Sequence, residues 1–303
     1  MKPIICVGHA ALDYVYRIEA FPPEPTKVRS LEHIESGGGM AANAAATIAR
    51  LGGVVELWSR TGSDSAGKRI HAYLETDGVN TEFVRTHEGA RSSTSAVIVD
   101  KAGERLIIGE RDHAMPMDSD WLPLERIVGA AAVLSDLRWL EGTRDAFKEA
   151  RARGVPTLLD ADLGGGVGGL LPEFLRLTDY AIFSAPALDL FAPGMDECAQ
   201  LESVLALGVR HAGVTRGADG YSWLSKSGSA GRQAGFPAEI VDTTGAGDAF
   251  HGAYAWSLAN GQSAPDCART AAAVAALKCR RLGARAGLPT RAELDDFLAA
   301  RVD

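Results

Sequence analysis

Short apolar runs alternate with helical stretches along most of the chain, and this rhythm limits the possible folds more than any other feature. A first apolar run ends at Gly8, and helical patterns separate several of the later ones. The later predicted strands are 54–59, 131–136, 156–160, 180–184 and 211–215, and the predicted helices are 41–51, 66–77 and 143–153. Strands that alternate with helices in this way predict an α/β fold with a mostly parallel sheet between helices.

Two parts of the chain depart from this rhythm. Residues 11–35 and 92–109 alternate apolar and polar side chains around a proline-rich loop and a tight turn, which predicts two strand pairs in a separate small sheet. The last sixty residues contain alanine-rich stretches at 246–260, 264–281 and 290–301, which predict helices. No linker divides the chain, so we predict one domain over 1–303. The glycine-rich patch 164–169 predicts a surface loop.

Composition excludes several classes of protein. The 31 basic and 39 acidic residues give a net charge of −8, without the basic run that a nucleic-acid backbone would require. The first apolar run is too short for a signal sequence or a membrane span. The four cysteines are scattered without metal-type spacing, which indicates reduced thiols in a cytoplasm.

The run Asp-Thr-Thr-Gly-Ala-Gly-Asp at 242–248 carries the strongest chemical signal. It follows the strand-like residues 238–241 and precedes an alanine-rich helix. The small residues Gly245, Ala246 and Gly247 let backbone amides approach an anion at the positive end of the helix dipole. Asp248 in the first turn is placed to accept a proton from a hydroxyl that attacks a phosphate.

A structural role explains the same residues differently. Asp242 and Thr244 would then cap the helix, and Asp248 would stabilise only its dipole. The complete seven-residue run favours the catalytic interpretation over this alternative.

A glycine run at 37–39 precedes the first predicted helix and predicts a loop. Gly38 and Gly39 would let a ligand reach backbone amides, and Asn43 offers a donor and an acceptor to sugar hydroxyls. Asp13, which follows the first strand, could accept two hydrogen bonds from such hydroxyls. Close packing is the alternative role for the glycines, and a solvated turn is the alternative for Asp13.

These motifs resemble those of the ribokinase-like (PfkB) carbohydrate kinases, over nearly the whole chain. The resemblance implies ATP and Mg²⁺ as cofactors, Asp248 as the base and an anion hole at 245–247. It also implies sugar contacts at Gly38, Gly39, Asn43 and Asp13. Residues 214–220 resemble the segment that meets the nucleotide phosphates. The nucleotide contacts implied are Thr215, Gly217, Gly220, Thr244, Gly245 and Gly247.

One departure concerns the metal. Family members often carry Asn-x-x-Glu after the strand that precedes the nucleotide region, and this chain has Ser-Ala-Pro-Ala at 184–187. We therefore assign no protein ligand to Mg²⁺. Whether a monovalent cation such as K⁺ supports the loop near Asp242 stays open.

Residues 134–139 and 276–289 resemble bacterial 6-deoxy-6-sulfofructose kinases. This resemblance implies transfer to O1 of a ketohexose such as that sulfosugar or fructose, with Lys27 and Arg138 holding the anionic group. An ion pair of Arg138 with Asp136 or Glu141 is the alternative. Gly109 stands where those kinases have an Asn that contacts the sulfonate, and Asn43 stands where they have Thr. Arg111 and His113 could compensate, or the substrate could be a neutral or phosphorylated ketose.

The sequence also bears on several rival functions. A ribose, phosphosugar or nucleoside kinase would share the fold, although few aromatic residues are available near the acceptor loop to stack a base. A non-catalytic sugar-binding regulator would not need the intact Asp248. A dinucleotide-dependent dehydrogenase would carry its glycines directly after the first strand, but here they come about thirty residues later. An open edge of the small sheet predicts a homodimer, with that sheet acting as a lid over the sugar.

Overall fold

The computed structural model describes residues 2–162 and 169–301. Apart from Gly169, the predicted loop at 164–169 therefore lies outside the described residues. The strands are β1 (Ile4–Val7), β2 (Ala11–Arg17), β3 (Glu32–Gly38), β4 (Val55–Gly62), β5 (Val84–His87), β6 (Ser93–Val99), β7 (Arg105–Glu110), β8 (Ala132–Ser135), β9 (Thr157–Asp160), β10 (Tyr180–Ser184), β11 (His211–Thr215), β12 (Tyr221–Ser225) and β13 (Ala230–Gln233). The α-helices are α1 (Met40–Arg50), α2 (Ser65–Thr76), α3 (Leu140–Arg153), α4 (Leu171–Leu175), α5 (Ala185–Phe191), α6 (Glu197–Ala206), α7 (Ala246–Ala259), α8 (Ala264–Lys278) and α9 (Arg291–Ala299).

The described strands form two sheets. The larger has the order β13-β12-β11-β10-β9-β8-β1-β4-β5, parallel from β11 to β5 with β12 and β13 antiparallel at one edge. The smaller has the order β3-β2-β6-β7. The predicted α/β fold with a small second sheet is confirmed. Over the described residues, no helix combines the length and apolarity needed to cross a bilayer.

Two local predictions were wrong. Residues 238–241 form no strand, because the N–H groups of Val241 and Asp242 both donate to the carbonyl of Cys279, just after α8, at 2.8 and 3.1 Å. The glycine run is not a loop throughout, since Gly37 and Gly38 end β3 and pair with β2. Both differences arise from partners distant in sequence.

Packing on the two faces of the large sheet positions the site. Ile4 and Cys6 of β1 point into the core shared with α1, α7 and α8, whereas Ile5 and Val7 point into the core beneath α3. Gly252 of α7 permits the close approach of α1, because a Cβ there would lie 2.5 Å from the α1 carbonyl of Ala44. This contact brings the first turns of α1 and α7 side by side.

Candidate active site

The carboxyl ends of the parallel strands meet at one edge of the large sheet. Asp160 ends β9, Ser184 ends β10 and Thr215 ends β11, while Asp136 follows β8 directly. In open α/β sheets, ligands bind at this edge. The second turn of α7 packs against it through a 3.3 Å contact between His251 Nδ1 and Asp160 Oδ2.

The glycine turn before α7 is built without a side-chain cap from any described residue. Gly245 occupies the N-cap with φ 74°, in the left-handed region that favours glycine. Asp242 instead accepts the N–H groups of Thr244 and Gly283 at 2.8 and 2.7 Å. The hydroxyl of Thr244 is buried without a partner among the described residues, and a Cβ on Gly247 would meet nothing within 4 Å. The turn therefore offers amides and one hydroxyl to an anion, and the capping alternative does not describe it.

Asp248 lies in the first turn of α7 and is half-buried. Asn43 Nδ2 donates to Asp248 Oδ2 at 2.7 Å across 205 residues of sequence. Burial raises the pKa of Asp248, while the Asn43 hydrogen bond and the nearby His251 oppose that rise. A carboxylate of raised pKa is a stronger base toward a hydroxyl.

His251 stands one helical turn behind Asp248. Its Nδ1 lies 2.7 Å from the carbonyl of Gly247 and 3.3 Å from the carboxylate of Asp160, and its Nε2 lies 3.2 Å from the carbonyl of Ile182. Because all three neighbours are acceptors, the ring satisfies them only when both nitrogens carry hydrogen. A positively charged ring in this place would stabilise ionised carboxylates on either side.

The glycines at 37–39 make room for functional side chains. A Cβ on Gly37 would lie within 3.0 Å of the Arg285 guanidinium, and one on Gly38 would collide with the carboxylate of Asp13. Gly39 has φ 89° and lies against the backbone between β1 and β2. Burial raises the pKa of Asp13 to about 6, against the opposing effects of a Ser95 hydrogen bond and the Arg285 charge.

Arg138 reaches the start of α1, where its Nε lies 3.3 Å from Met40 Sδ. Its proposed structural partner Asp136 is occupied by three backbone N–H groups, those of His9, Ala41 and Arg138 itself, at 2.8–3.0 Å. The guanidinium therefore remains beside the glycine run.

Two other predicted anion contacts differ in placement. Lys27 lies exposed in the connection between β2 and β3, and no hydrogen bond or ion pair joins it to the other described site residues. Arg111 is drawn close to Arg138, and burial together with that charge lowers the pKa of Arg111.

Three of the six predicted nucleotide contacts, Thr215, Gly217 and Gly220, lie two strands away from β9 on the same edge, and the other three lie in the turn before α7. Thr215 Oγ1 donates to the carbonyl of Phe183 at 3.2 Å, and Gly217 and Gly220 form the tight turn into β12. A Cβ on Gly220 would collide with the carbonyl of Gln233. The turn is thus held against β13, beside the edge that carries Asp160.

Sequence reasoning missed several residues of the site. Lys278 is fully buried and donates to the carbonyl of Asp242 at 2.8 Å, and Arg285 is buried against Asn43. Both lie in the segment 276–289 whose resemblance to a kinase subfamily was noted, but nothing in their spacing indicated a contact with Asp242 or Asn43. Asp160 could have been found, because a polar residue at the end of a parallel strand points to the ligand edge.

No three His, Cys, Asp or Glu side chains converge as a metal site within 2–162 and 169–301. Asp160 is nevertheless a buried carboxylate at the ligand edge. Burial raises the pKa of Asp160 to about 7, His251 opposes the rise, and the Asp248 charge adds to it. A carboxylate in this place suits a hard cation that is held partly by other ligands.

Comparison with known proteins agrees with this geometry. Residues 1–291 match the model of the pfkB family carbohydrate kinases. A ribokinase of Arabidopsis thaliana is 31% identical over 95% of this chain and 79% of its own length, and a fructokinase of Vibrio alginolyticus is 29% identical over 98% and 99%. The structure of Arabidopsis thaliana ribokinase complexed with ribose and ATP has a TM-score of 0.86 at 27% identity, covering 100% of this chain and 99% of that one. The protein therefore belongs to the pfkB family of carbohydrate kinases.

Proposed function

We propose that the protein transfers the γ-phosphate of ATP to a hydroxyl of a sugar, with Asp248 as the general base. The observation that carries the proposal is the half-buried Asp248 carboxylate, oriented by Asn43 at 2.7 Å beside a glycine turn without a side-chain cap among the described residues. As the sugar oxygen forms its bond to the γ-phosphorus, its proton passes to Asp248 and the bond from that phosphorus to the β-phosphate oxygen breaks. The amides at Gly245–Gly247 stabilise the charge that develops on the transferred group.

ATP occupies the edge formed by β10 and β11 in this proposal. Thr215, Gly217 and Gly220 face its phosphates from one side, and the hydroxyl of Thr244 faces them from the other. The unpartnered Thr244 hydroxyl within the described site supports this placement. The Arabidopsis relative was solved in complex with ribose and ATP, which supports ATP as the phosphate donor.

Asp160 supplies oxygen atoms of the kind that Mg²⁺ prefers. Mg²⁺ usually retains several waters and uses one or two carboxylates together with substrate phosphates, so Asp160 would hold it together with waters and the phosphates of ATP, without an Asn-x-x-Glu segment. When bound, the ion would neutralise phosphate charge. The affinity for ATP is measured over a series of Mg²⁺ concentrations, and Mg²⁺ should increase that affinity less in an Asp160→Asn variant than in the wild type. Parallel activity assays in K⁺ and tetramethylammonium buffers test for a monovalent cation.

Two observations each favour a different sugar as the phosphate acceptor. The ribokinase relatives favour ribose. A cluster of Arg60, Arg111 and Arg138 favours a ketohexose with an anionic end, such as 6-deoxy-6-sulfofructose. These arginines, after burial itself, lower the pKa of His9 to about 3, and the Nε2 atom of His9 is buried without a partner among the described residues. An anion at this place would offset the mutual repulsion of the guanidinium groups.

A kinetic screen separates these acceptors. Ribose, fructose, 6-deoxy-6-sulfofructose and fructose 6-phosphate are assayed with Mg-ATP by ADP release. If the anionic proposal is right, Arg138→Gln lowers kcat/KM for the anionic sugars by roughly 10- to 100-fold and leaves fructose almost unchanged; Lys27→Gln tests the second predicted contact. A wild-type preference for ribose with no effect of Arg138→Gln would contradict it. Sugar binding without ADP release from any member of the panel would instead indicate a regulator.

The small sheet carries a candidate dimer surface for a second copy of this chain. Leu106, Ile107 and Ile108 of its edge strand β7 are 49%, 50% and 59% exposed. Apolar side chains along an unpaired strand edge favour pairing with another strand. Light scattering of the wild type and of Ile108→Lys tests the proposal: a dimer that becomes a monomer supports it, and a wild-type monomer at micromolar concentration overturns it.

A further inference from the structure

Arg285 is buried at the centre of the candidate site, with only 8% of its surface exposed. Its guanidinium donates to three elements: Nε to Asn43 Oδ1 at 2.8 Å, one terminal nitrogen to Asp77 Oδ2 at 2.9 Å, and the other to the carbonyl of Gly38 at 3.1 Å. Gly37 makes room for it, because a Cβ there would overlap the guanidinium. Burial of a charge is costly, and the three hydrogen bonds and the ion pair with Asp77 offset that cost.

We propose that Arg285 is a positioning residue that fixes the side-chain amide of Asn43 and, through it, the carboxylate of Asp248. This inference rests on the proposed function, in which Asp248 is the base. It also assigns Asn43 a different task from the predicted sugar contact, since both ends of its amide are already engaged.

The orientation of the Asn43 amide between Arg285 and Asp248 follows from donor chemistry alone. A guanidinium has only donors, so the end of the Asn43 amide that faces Arg285 must be the oxygen. The nitrogen of the same amide then has to face Asp248, where it donates at 2.7 Å. If the amide rotated by half a turn, its oxygen would face the carboxylate, and a hydrogen bond would become a repulsion between two acceptors.

Several charged groups surround the hydrogen bonds that join Arg285, Asn43 and Asp248. Lys278 and Arg285 are the basic groups that act on Asp248 from the C-terminal segment, and Asp13 lies on the opposite side, in β2. The groups acting from other elements are His251 in α7, Asp136 after β8, and Asp160 and Asp162 at the end of β9. Asp77 after α2 supplies the ion-pair partner of Arg285, 22% exposed. Loss of Arg285 thus removes both a positive charge and the orienting contact, and both losses favour the protonated form of Asp248.

The chain offers a matched control for this role. Arg285→Met removes every donor, whereas Asp77→Asn weakens only the ion pair and leaves the Arg285 contact to Asn43 in place. Both variants are expected to be less stable than the wild type, so stability does not separate them. Catalysis does: we expect kcat for the best sugar of the panel to fall roughly 10- to 100-fold at pH 6 in Arg285→Met and to change less than about 3-fold in Asp77→Asn.

The pH profile supplies a readout that a structural role would not move. We expect the acid limb of kcat/KM to shift to higher pH in Arg285→Met, with partial recovery at pH 8 to 9 and little change in the KM for ATP. A double variant with Asn43→Ala should be no slower than Asn43→Ala alone, because Arg285 acts through that amide. Equal profiles for Arg285→Met and Asp77→Asn, or additive losses in the double variant, would overturn the proposal.

Two further measurements keep the test decisive. If Arg285→Met does not fold, Arg285→Lys takes its place, since one ammonium cannot make all three contacts; a wild-type profile in that variant would count against the proposal. Carboxyl ¹³C NMR of aspartate-labelled protein follows Asp248 without any substrate. An upward shift of its titration in the Arg285 variant supports the positioning role even if the wild type phosphorylates no sugar in the panel, and an unmoved titration refutes it.

Discussion

Replacement of Asp248 by Asn tests the proposed base with little disturbance of its surroundings. In the wild type, Oδ2 accepts from Asn43 Nδ2 at 2.7 Å. An asparagine at 248 can turn its own amide oxygen toward Asn43 and keep that hydrogen bond, so the first turn of α7 should remain intact. What the variant cannot do is take a proton from the sugar hydroxyl.

The expected loss of kcat in Asp248→Asn follows from the loss of the general base alone. A positioned general base contributes about 10²- to 10⁴-fold, which is about 2.7 to 5.4 kcal/mol at 1.36 kcal/mol per factor of ten. We therefore expect kcat to fall by that factor in a coupled ADP-release assay, while calorimetric affinities for sugar and ATP change little. Burial raises the pKa of Asp248, so the wild-type rate should decline as pH falls, and the residual rate of the variant should lack that decline.

The control is Asp295→Asn, an exposed carboxylate on α9 that pairs with the neighbouring Arg291. It should match the wild type in rate and in pH profile. A kcat within 3-fold of wild type for Asp248→Asn would refute the assignment of the base.

Three further predictions concern other parts of the molecule. Gly38→Ala should raise the KM for sugar at least 10-fold by displacing the carboxylate of Asp13, whereas Gly129→Ala, whose Cβ would meet nothing within 4 Å, should not; unchanged sugar kinetics would contradict this role. His251→Gln should move the acid limb of kcat/KM to higher pH, because the ring opposes the raised pKa of the catalytic aspartate; an unmoved limb would exclude that effect. Burial lowers the pKa of His211 from 6.5 to about 4, so its neutral form stabilises the fold fully above pH 6.5 and that stability is lost as pH falls toward 4. The loss is on the order of 3 kcal/mol, and urea unfolding of wild type and His211→Gln at pH 8 and pH 4.5 should show the difference.

The large elements of the fold were predictable because their signals are local. The first and last predicted helices begin within one residue of α1 and α9, and the apolar runs at 131–136, 156–160, 180–184 and 211–215 all became strands. β5 was missed because its four residues include Arg85 and His87 and show no apolar run. The hairpin of β12 and β13 was missed because its second strand is polar and largely exposed.

Some predicted elements failed because a distant partner decided their structure. Residues 238–241 have a strand-like composition, yet the carbonyl of Cys279 takes the N–H groups of Val241 and Asp242. Gly37 and Gly38 look like a loop in the sequence, but pairing with β2 draws them into β3. Local propensity cannot predict these outcomes, because the hydrogen-bond partner of each segment lies far away in the sequence.

The sequence by itself determined the reaction type that we propose, because the glycine turn and Asp248 occupy seven consecutive residues and one helical turn fixes their relative placement. Only the tertiary structure decided how that aspartate is held. Asn43 lies 205 residues from Asp248, and Arg285 lies 242 residues from Asn43. Their contacts exist because α1 packs closely on α7 at Gly252 and because the segment after α8 folds back beneath the glycine run. The spacing of residues along the chain does not predict contacts over such long separations. The buried arginine behind the proposed base can therefore be identified only from the packed structure.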